Sequence, residues 1–151
     1  MYSTMPMRRR FATATAERDG VNSATAVWRG GWRCDVQAGN FELVVDEPPS
    51  AGGTGLGPMP TDLLLASLSS CYALALAWAA RKRGFELPDL EVTATGTYQG
   101  QRFAALELTV TTSLNVERLT PLLEPARRVC YVSNTFAHAP PVTVTLAPSR
   151  R

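Results

Sequence analysis

Apolar and polar residues alternate along two neighbouring stretches of the chain, residues 90–99 and 102–112, which meet at Gly100. In the second stretch Leu106, Leu108 and Val110 occupy every other position, with polar side chains between them. Because successive side chains of a β-strand point to opposite faces of a sheet, this period of two predicts two strands joined by a turn.

Three shorter strands are predicted earlier in the chain, at residues 24–29, 32–37 and 41–46, and a last one at residues 142–146. The three early stretches mix β-branched and aromatic residues with alternating polar ones, a composition that is enriched in strands. Gly30-Gly31 and Gly39-Asn40 separate them, and the first of these pairs favours a tight hairpin turn.

A long helix is predicted from Thr61 to Arg83, because residues 63–80 form an apolar run without a formal charge. Asp62 suits the positive end of the helix dipole, and three basic residues suit its negative end. Gly84 is a favourable residue just past the last turn of a helix.

A second helix is predicted at residues 120–129, but its start is ambiguous. Pro121 suits the first position of a helix, whereas Pro125 has no N–H and crowds the preceding turn. The helix therefore either kinks at Pro125 or starts near Glu124. The long helix is preceded by a loop at residues 48–58 that is too rich in Gly and Pro for a regular element.

The predicted order of elements is β-β-β-α-β-β-α-β. This order indicates an α+β fold with mostly antiparallel sheets. We expect a single domain, residues 21–151, which follows a loosely ordered N-terminal tail of residues 1–20.

The composition of the 151-residue chain is ordinary for a globular protein, with 45% apolar and 19% charged residues. A net charge of +2 and one short basic run at residues 8–10 argue against a nucleic-acid-binding protein. Three cysteines without CxxC spacing and one histidine predict neither a disulfide framework nor a metal site. The N-terminal residues do not resemble a secretory signal, so we expect a cytoplasmic protein.

The uncharged run at residues 63–80 reaches the length of a membrane span, which makes membrane insertion an alternative. Three serines and many alanines keep its hydrophobicity modest, however. A helix that is apolar on all sides is also typical of the centre of a folded protein. We therefore favour a buried helix and expect no association with membranes.

Two of the three cysteines are candidates for chemistry. By helical periodicity Cys71 shares a face with Leu64, Leu68, Ala75 and Trp78. Such a position is by itself typical of a buried core cysteine. Cys130 follows two arginines, which favour a reactive thiolate, although the same arginines could simply oppose a helix dipole. Cys34, next to Arg33 in a predicted strand, is interpreted as structural.

Two segments around these cysteines resemble the OsmC/Ohr family of thiol peroxidases. In the first, a glycine-rich loop at residues 52–57 leads through Pro60-Thr61-Asp62-Leu63-Leu64 into a helix that carries Cys71 about three turns later. In the second, Cys130-Tyr131-Val132-Ser133 is similar to the family's second signature, a cysteine commonly followed by Pro-Val-Ser or Pro-Val-His. The resemblance covers most of residues 24–147.

The resemblance implies an interleaved homodimer with a long buried central helix and active sites near the subunit interface. It implies that Cys71 is the peroxidatic cysteine, whose thiolate attacks a hydroperoxide and becomes a sulfenic acid. Cys130 would then be the resolving cysteine, which forms a disulfide with Cys71. The implied partners are an organic hydroperoxide and a dithiol reductant, either a small molecule or a lipoyl- or thioredoxin-like protein. No cofactor and no metal are implied.

The charged groups that support the peroxidatic cysteine in this family match less closely. Ohr-type members carry a glutamate ten residues before that cysteine, where this chain has Thr61, and the candidate acid here is Asp62. Asp62 could instead be only a dipole partner at the helix start. The supporting arginine should come from the first strands, with Arg33 preferred over Arg29. Tyr131 replaces the family's proline, so an OsmC-like binding or stress protein with little or no peroxidase activity is the alternative.

Overall fold

The computed structural model describes residues 20–148, in which the chain forms five strands and three α-helices. The strands are β1 (Ala24–Trp28), β2 (Cys34–Ala38), β3 (Phe41–Val45), β4 (Glu91–Gln99) and β5 (Arg102–Thr111). The helices are α1 (Pro60–Lys82), α2 (Val116–Val129) and α3 (Tyr131–Ala137). All strand pairs are antiparallel, which confirms the predicted α+β class.

The strands form two separate sheets, one with the order β1-β2-β3 and one with β4 paired to β5. Gly30 and Gly31 turn the chain between β1 and β2 with φ angles of 101° and 54°. Residues with a Cβ rarely adopt these angles, which explains why the first hairpin turns at the glycine pair. The main contacts of the three-stranded sheet are internal, whereas β4 packs against α1.

Helix α1 has the start and the end that the sequence predicts. Pro60 occupies its first turn, and the Asp62 carboxylate accepts a hydrogen bond from the Met59 N–H at 2.9 Å. The helix ends before Gly84, whose φ of 83° is in the left-handed region that commonly terminates helices.

The hydrophobic core lies between the C-terminal half of α1 and the middle of α2. Leu76 and Leu122 are fully buried in one cluster, whose other buried members are Tyr72, Ala75, Ala79, Ala80, Ala126 and Cys130. The first half of α1 is more exposed, and only 33% of its most apolar window is buried inside the chain. By length and composition α1 could cross a membrane, but a core helix meets the same criterion. In the single chain, the expectation of a buried helix is therefore met by the C-terminal half of α1 and not by its first half.

Helix α2 begins four residues before its predicted start. Asn115 caps it, because its side-chain oxygen accepts a hydrogen bond from the Arg118 N–H at 3.0 Å. Both Pro121 and Pro125 lie inside the helix, so the predicted start at residue 120 was wrong. The burial of its apolar face against α1 stabilises the helix enough to offset the hydrogen bonds that the two prolines cannot donate.

Two further differences concern the end of the chain. Helix α3 was not predicted at all, whereas the strand predicted at residues 142–146 is not formed. Within residues 20–148 that segment has no paired strand, and the side chains of Val142, Val144 and Leu146 are at least 89% exposed. Of the predicted N-terminal tail, residues 1–19 lie outside the described part of the chain.

The glycine-rich loop before α1 is organised around the carboxylate of Asp46, which is 1% exposed. This carboxylate accepts hydrogen bonds from the backbone N–H groups of Glu47, Thr54 and Leu56 and from the Thr54 hydroxyl. The hydrogen bond from the Thr54 hydroxyl lowers the pKa of Asp46 most, and the three N–H groups lower it further. Burial acts in the opposite direction, but the pKa stays below its usual range. One buried charge therefore fixes the loop that leads into α1.

Two glycines of the loop are required by close backbone contact. A Cβ on Gly53 would lie 1.9 Å from the Glu47 carbonyl oxygen, and one on Gly57 would lie 2.0 Å from the Val44 carbonyl oxygen. Neither carbonyl can move without disturbing β3 or the segment that follows it. This packing gives the glycine-rich composition a structural reason that does not involve ligand binding.

We expect Asp46→Asn to lower the melting temperature at neutral pH, because a neutral amide is a weaker acceptor for four donors. The pKa of Asp46 is lower in the folded chain, so its stabilisation is present above the unfolded pKa of about 3.9 and is lost as pH falls through the folded value. Thermal unfolding followed by circular dichroism should therefore show a difference from wild type that shrinks below about pH 4.

The matched control is Glu91→Gln, which alters an exposed carboxylate on β4. It should leave the melting temperature nearly unchanged over the same pH range. An Asp46→Asn deficit of constant size down to pH 2 would contradict the role given to the Asp46 charge.

Candidate functional site

The structure brings Cys71 and Cys130 together, although 59 positions separate them in the sequence. Cys71 is half-buried on α1, and Cys130 is fully buried between α2 and α3, two helices that both contact α1. Cys71 packs against the buried cluster that contains Cys130, and the neighbouring Cys130 side chain raises the pKa of Cys71. Both are free thiols in this structure.

Cys130 owes its position to a break between two helices. Its N–H donates to the Ala126 carbonyl at 3.0 Å and so closes the last turn of α2. Its ψ angle of 102° then leaves the helical region, and its carbonyl accepts from the Asn134 N–H at 3.0 Å to begin α3. The backbone of Cys130 is held on both sides, and its side chain joins the core cluster beside α1.

The surroundings of Cys71 disfavour its thiolate. Burial raises the pKa of the Cys71 thiol, and the neighbouring Cys130 raises it further. The backbone N–H groups of Val132 and Tyr131, in the first turn of α3, hydrogen-bond to the sulfur and lower the pKa in part. Because the net direction is upward, the less reactive thiol form predominates at neutral pH in the single chain.

The two candidate arginines lie on a different surface. Arg29 and Arg33 both form ion pairs with Asp35, at 2.8 and 3.2 Å. Together they line a cavity of about 460 Å³ on one face of the three-stranded sheet, and Cys71 is not part of its lining. The Nε of Arg33 is buried without a hydrogen-bond partner within residues 20–148. The single chain thus leaves Arg33 incompletely paired and separate from the thiols.

The candidate acid also lies away from the thiols. Asp62 is exposed and caps the start of α1, nine residues before Cys71, which corresponds to about 13 Å along the helix axis. Thr61, where Ohr-type members carry glutamate, accepts a hydrogen bond from the Tyr98 hydroxyl at 2.8 Å. Within one chain, neither residue is placed to act on Cys71.

Cys34 lies in the three-stranded sheet, away from the other two cysteines. It lies half-buried in β2, between Trp28 on β1 and Val45 on β3. This location agrees with a structural role. No three histidine, cysteine or acidic side chains in the described part of the chain come together in a way that could hold a metal ion.

Sequence reasoning missed two groups beside the thiols. The first is the pair of backbone N–H groups at the start of α3, a helix that the motif Tyr131-Val132-Ser133 did not reveal. The second is the hydroxyl of Tyr72, which donates to the Leu123 carbonyl at 3.1 Å. The only signal for the latter was a tyrosine directly after Cys71 in an uncharged run.

A family model supports the motif resemblance. The OsmC family model, described as OsmC-like protein, matches residues 53–145, a stretch that includes Cys71 and Cys130. The uncharacterized protein YmaD of Bacillus subtilis (strain 168) is 30% identical over 61 residues, which cover 40% of this chain and 41% of YmaD. That match therefore spans less than half of the relative's length.

Solved structures share the fold over most of the chain. An organic hydroperoxide resistance protein from Elizabethkingia anophelis is 26% identical, with a TM-score of 0.61 over 79% of this chain and 89% of that chain. OhrB of Bacillus subtilis, also named an organic hydroperoxide resistance protein, is 23% identical, with a TM-score of 0.58 over 77% and 90%. An OsmC like protein from Mycoplasma pneumoniae is 18% identical, with a TM-score of 0.66 over 80% and 89%.

We expect mild oxidation of the reduced protein to join Cys71 to Cys130 and to leave Cys34 free, because only the first two thiols are in contact. In the chain-entropy description, a disulfide that closes a loop of about 60 residues stabilises a protein by about 4 kcal/mol. Peptide mapping under non-reducing conditions identifies the pair, and urea unfolding of the oxidised and reduced forms measures the gain in stability.

Cys34→Ser is the control for this experiment and should preserve the disulfide and its stabilisation. A disulfide between Cys34 and either of the other cysteines would show that the described placement of the thiols is wrong.

Proposed function

Because the chain belongs to the family of OsmC-like proteins, we propose that it is a thiol-dependent peroxidase that reduces organic hydroperoxides through Cys71 and Cys130. The contact between the two thiols is the observation that carries this proposal. The names of the similar structures from Elizabethkingia anophelis and Bacillus subtilis, both organic hydroperoxide resistance proteins, support the substrate class.

The proposed reaction begins at the sulfur of Cys71. Its thiolate attacks the terminal oxygen of ROOH, so that an S–O bond forms and the O–O bond breaks. The leaving alkoxide takes up a proton and departs as the alcohol ROH, and Cys71 becomes a sulfenic acid. The sulfur has been oxidised by two electrons and the peroxide reduced by two.

The second step uses Cys130. Its sulfur attacks the sulfur of the sulfenic acid, the S–S bond forms, and the hydroxyl group leaves as water after protonation. Two thiol–disulfide exchanges with an external dithiol then restore both cysteines and oxidise the dithiol to a disulfide. The dithiol is a small molecule or a lipoyl- or thioredoxin-like protein, and we propose that the reaction serves an oxidative stress response in the cytoplasm.

The environment of Cys71 suits an apolar hydroperoxide. Cys71 packs beside a hydrophobic cluster that includes Tyr72, Ala75 and Leu76. An apolar R group that approaches the sulfur would bury surface against such neighbours, which favours organic hydroperoxides over hydrogen peroxide.

We also propose that the protein acts as an interleaved homodimer. Large apolar side chains remain exposed on the single chain, among them Trp28, Phe41, Leu74, Val142, Val144 and Leu146. Exposed apolar surface of this extent marks an interaction site in a folded protein. A second copy that covers it would also bury the first half of α1, as the family resemblance implies.

In this homodimer, Arg33 supports Cys71 across the subunit interface. Within residues 20–148 the Arg33 Nε has no hydrogen-bond partner, and the pKa of Cys71 is raised. A guanidinium beside the sulfur would stabilise the thiolate of Cys71 and would give the Nε a partner. Arg29 is the less favoured candidate, since it is more exposed than Arg33. Asp62 would act only by orienting such an arginine and does not touch the reacting sulfur.

A second candidate function is that of an OsmC-like binding protein with little peroxidase activity. The observation in its favour is the upward shift in the pKa of Cys71 together with Thr61 at the position of the Ohr-type glutamate. It predicts slow, non-saturating oxidation of the thiols, whereas the peroxidase predicts rapid and stoichiometric formation of the Cys71–Cys130 disulfide.

Reduced wild-type protein should consume cumene hydroperoxide rapidly, and Cys71→Ser should lose this activity at least 100-fold, the order by which removing a nucleophile slows covalent catalysis. Without added thiol, Cys130→Ser should consume about one equivalent of peroxide and stop at the sulfenic acid of Cys71, whereas wild type should stop at the Cys71–Cys130 disulfide. Peroxide loss is followed by a ferric dye assay, and Cys34→Ser is the control that should keep full activity. Wild-type consumption no faster than that of Cys71→Ser would favour the binding protein.

We expect Arg33→Met to shift the pH midpoint of Cys71 alkylation by iodoacetamide upward, because the thiolate loses its cation. Arg29→Met also removes an ion pair with Asp35 and is the matched control, with a smaller shift. The midpoints are measured by mass spectrometry of the peptide that contains Cys71.

Mixed dimers test whether the arginine comes from the other subunit. Arg33→Met and Cys71→Ser protomers, refolded together, should recover part of the activity that each lacks alone, because one site then holds both wild-type residues. Equal midpoints in Arg33→Met and wild type, or no recovery in the mixture, would remove Arg33 from this role.

A further inference from the structure

The hydroxyl of Tyr72 connects the two helices that carry the paired thiols. Tyr72 directly follows Cys71 on α1 and is 8% exposed, with its ring in the same cluster as Leu122 and Cys130. Its hydroxyl donates to the Leu123 carbonyl oxygen of α2 at 3.1 Å. A buried hydroxyl needs a partner, and here the partner is the backbone of the helix that ends at Cys130.

Helix α2 depends on such an external anchor because its own ladder of hydrogen bonds is incomplete. Pro121 and Pro125 lie inside the helix and have no N–H to donate. The carbonyls of Glu117 and Pro121, four residues before each proline, therefore lack the hydrogen bond that an N–H at the proline position would donate. Tyr72 contacts α2 at Leu123, between the second of these gaps and Cys130.

The Tyr72 hydroxyl acts through position and not as an acid. Burial raises the pKa of Tyr72, and the charges of Cys130 and Glu124 raise it further, while Arg127 opposes them. The group thus stays neutral, and its single proton is engaged by the Leu123 carbonyl. Tyr72 and Cys130 belong to the same buried cluster, so the bond lies in the part of the core that holds this thiol.

We propose that Tyr72 is a positioning residue for the resolving step, in which it holds the end of α2 so that Cys130 stays opposite Cys71. This inference rests on the proposed function, because it concerns the step that joins Cys130 to the sulfenic acid of Cys71. Cys130 forms no bond in the first step, so the structure assigns Tyr72 its main effect on disulfide closure and not on the attack on peroxide.

Tyr72→Phe keeps the buried ring and removes only the hydroxyl. After one equivalent of cumene hydroperoxide, rapid acid quench and mass spectrometry give the rates of sulfenic acid formation and disulfide closure. The first rate should stay within about twofold of wild type, whereas closure should slow about 3- to 10-fold, the factor that corresponds to the net contribution of one hydrogen bond. The sulfenic acid should persist longer and give more adduct with dimedone.

The ratio of the two rates separates positioning from a general loss of stability. Tyr98→Phe is the matched control, since it removes a hydroxyl that bonds to Thr61 at the far end of α1, and it should leave the ratio unchanged. Pro125→Ala restores one N–H to α2 and should recover part of the closure rate in the Tyr72→Phe background. If Tyr72→Phe alone does not fold, the double variant is compared with Pro125→Ala.

The outcomes also separate this inference from the proposed function. Closure at the wild-type rate in a Tyr72→Phe protein that still reduces peroxide overturns the role of Tyr72 alone. A closure defect that Pro125→Ala does not relieve overturns the anchoring of α2 as its cause. If wild type forms neither sulfenic acid nor disulfide, both the peroxidase and the inference fail.

Discussion

The packing of α1 against α2 is the interaction on which the rest of the structure depends. Leu76 and Leu122 are fully buried where the two helices meet, and their burial stabilises each helix against the poor features of its own sequence. For α2 these features are two internal prolines, and for α1 a long uncharged run that leaves Leu74 exposed. The same contact places the end of α2, and with it Cys130, beside Cys71. Stability and the arrangement of the thiols therefore have one origin.

A single chain leaves large apolar side chains exposed and keeps the candidate arginines apart from the thiols. The main contacts of the three-stranded sheet are between its own strands, and this sheet carries Arg33 and Arg29, the two candidates for the supporting arginine. The thiol pair lies elsewhere, in surroundings that favour the protonated form of Cys71. In the proposed homodimer, a second copy of the chain would cover the exposed apolar side chains. It would also bring an arginine of its three-stranded sheet to Cys71, which has no cation beside it within the described part of a single chain.

Local signals made much of the fold predictable. Glycine turns, alternating strands and the Pro60–Gly84 boundaries of α1 all depend on neighbours within a few residues. The pairing of Cys71 with Cys130 was different, because it followed from a motif resemblance and could not be read from periodicity. The start of α2 and the existence of α3 depend on tertiary packing, which overrides local propensity. The strand expected at residues 142–146 has no partner strand in the described chain.

The alanines of α1 have a consequence for the distance between the thiols. Ala75, Ala79 and Ala80 are buried in the cluster with Ala126 of α2, where larger side chains would be usual. Helices commonly pack with axes 8–10 Å apart, and small residues at the contact bring them to the near end of that range. A methyl group added along this seam would push α2 outward and widen the gap between the sulfurs. The size of these side chains thus helps to set the distance between the two cysteines, although none of the alanines carries a reactive group.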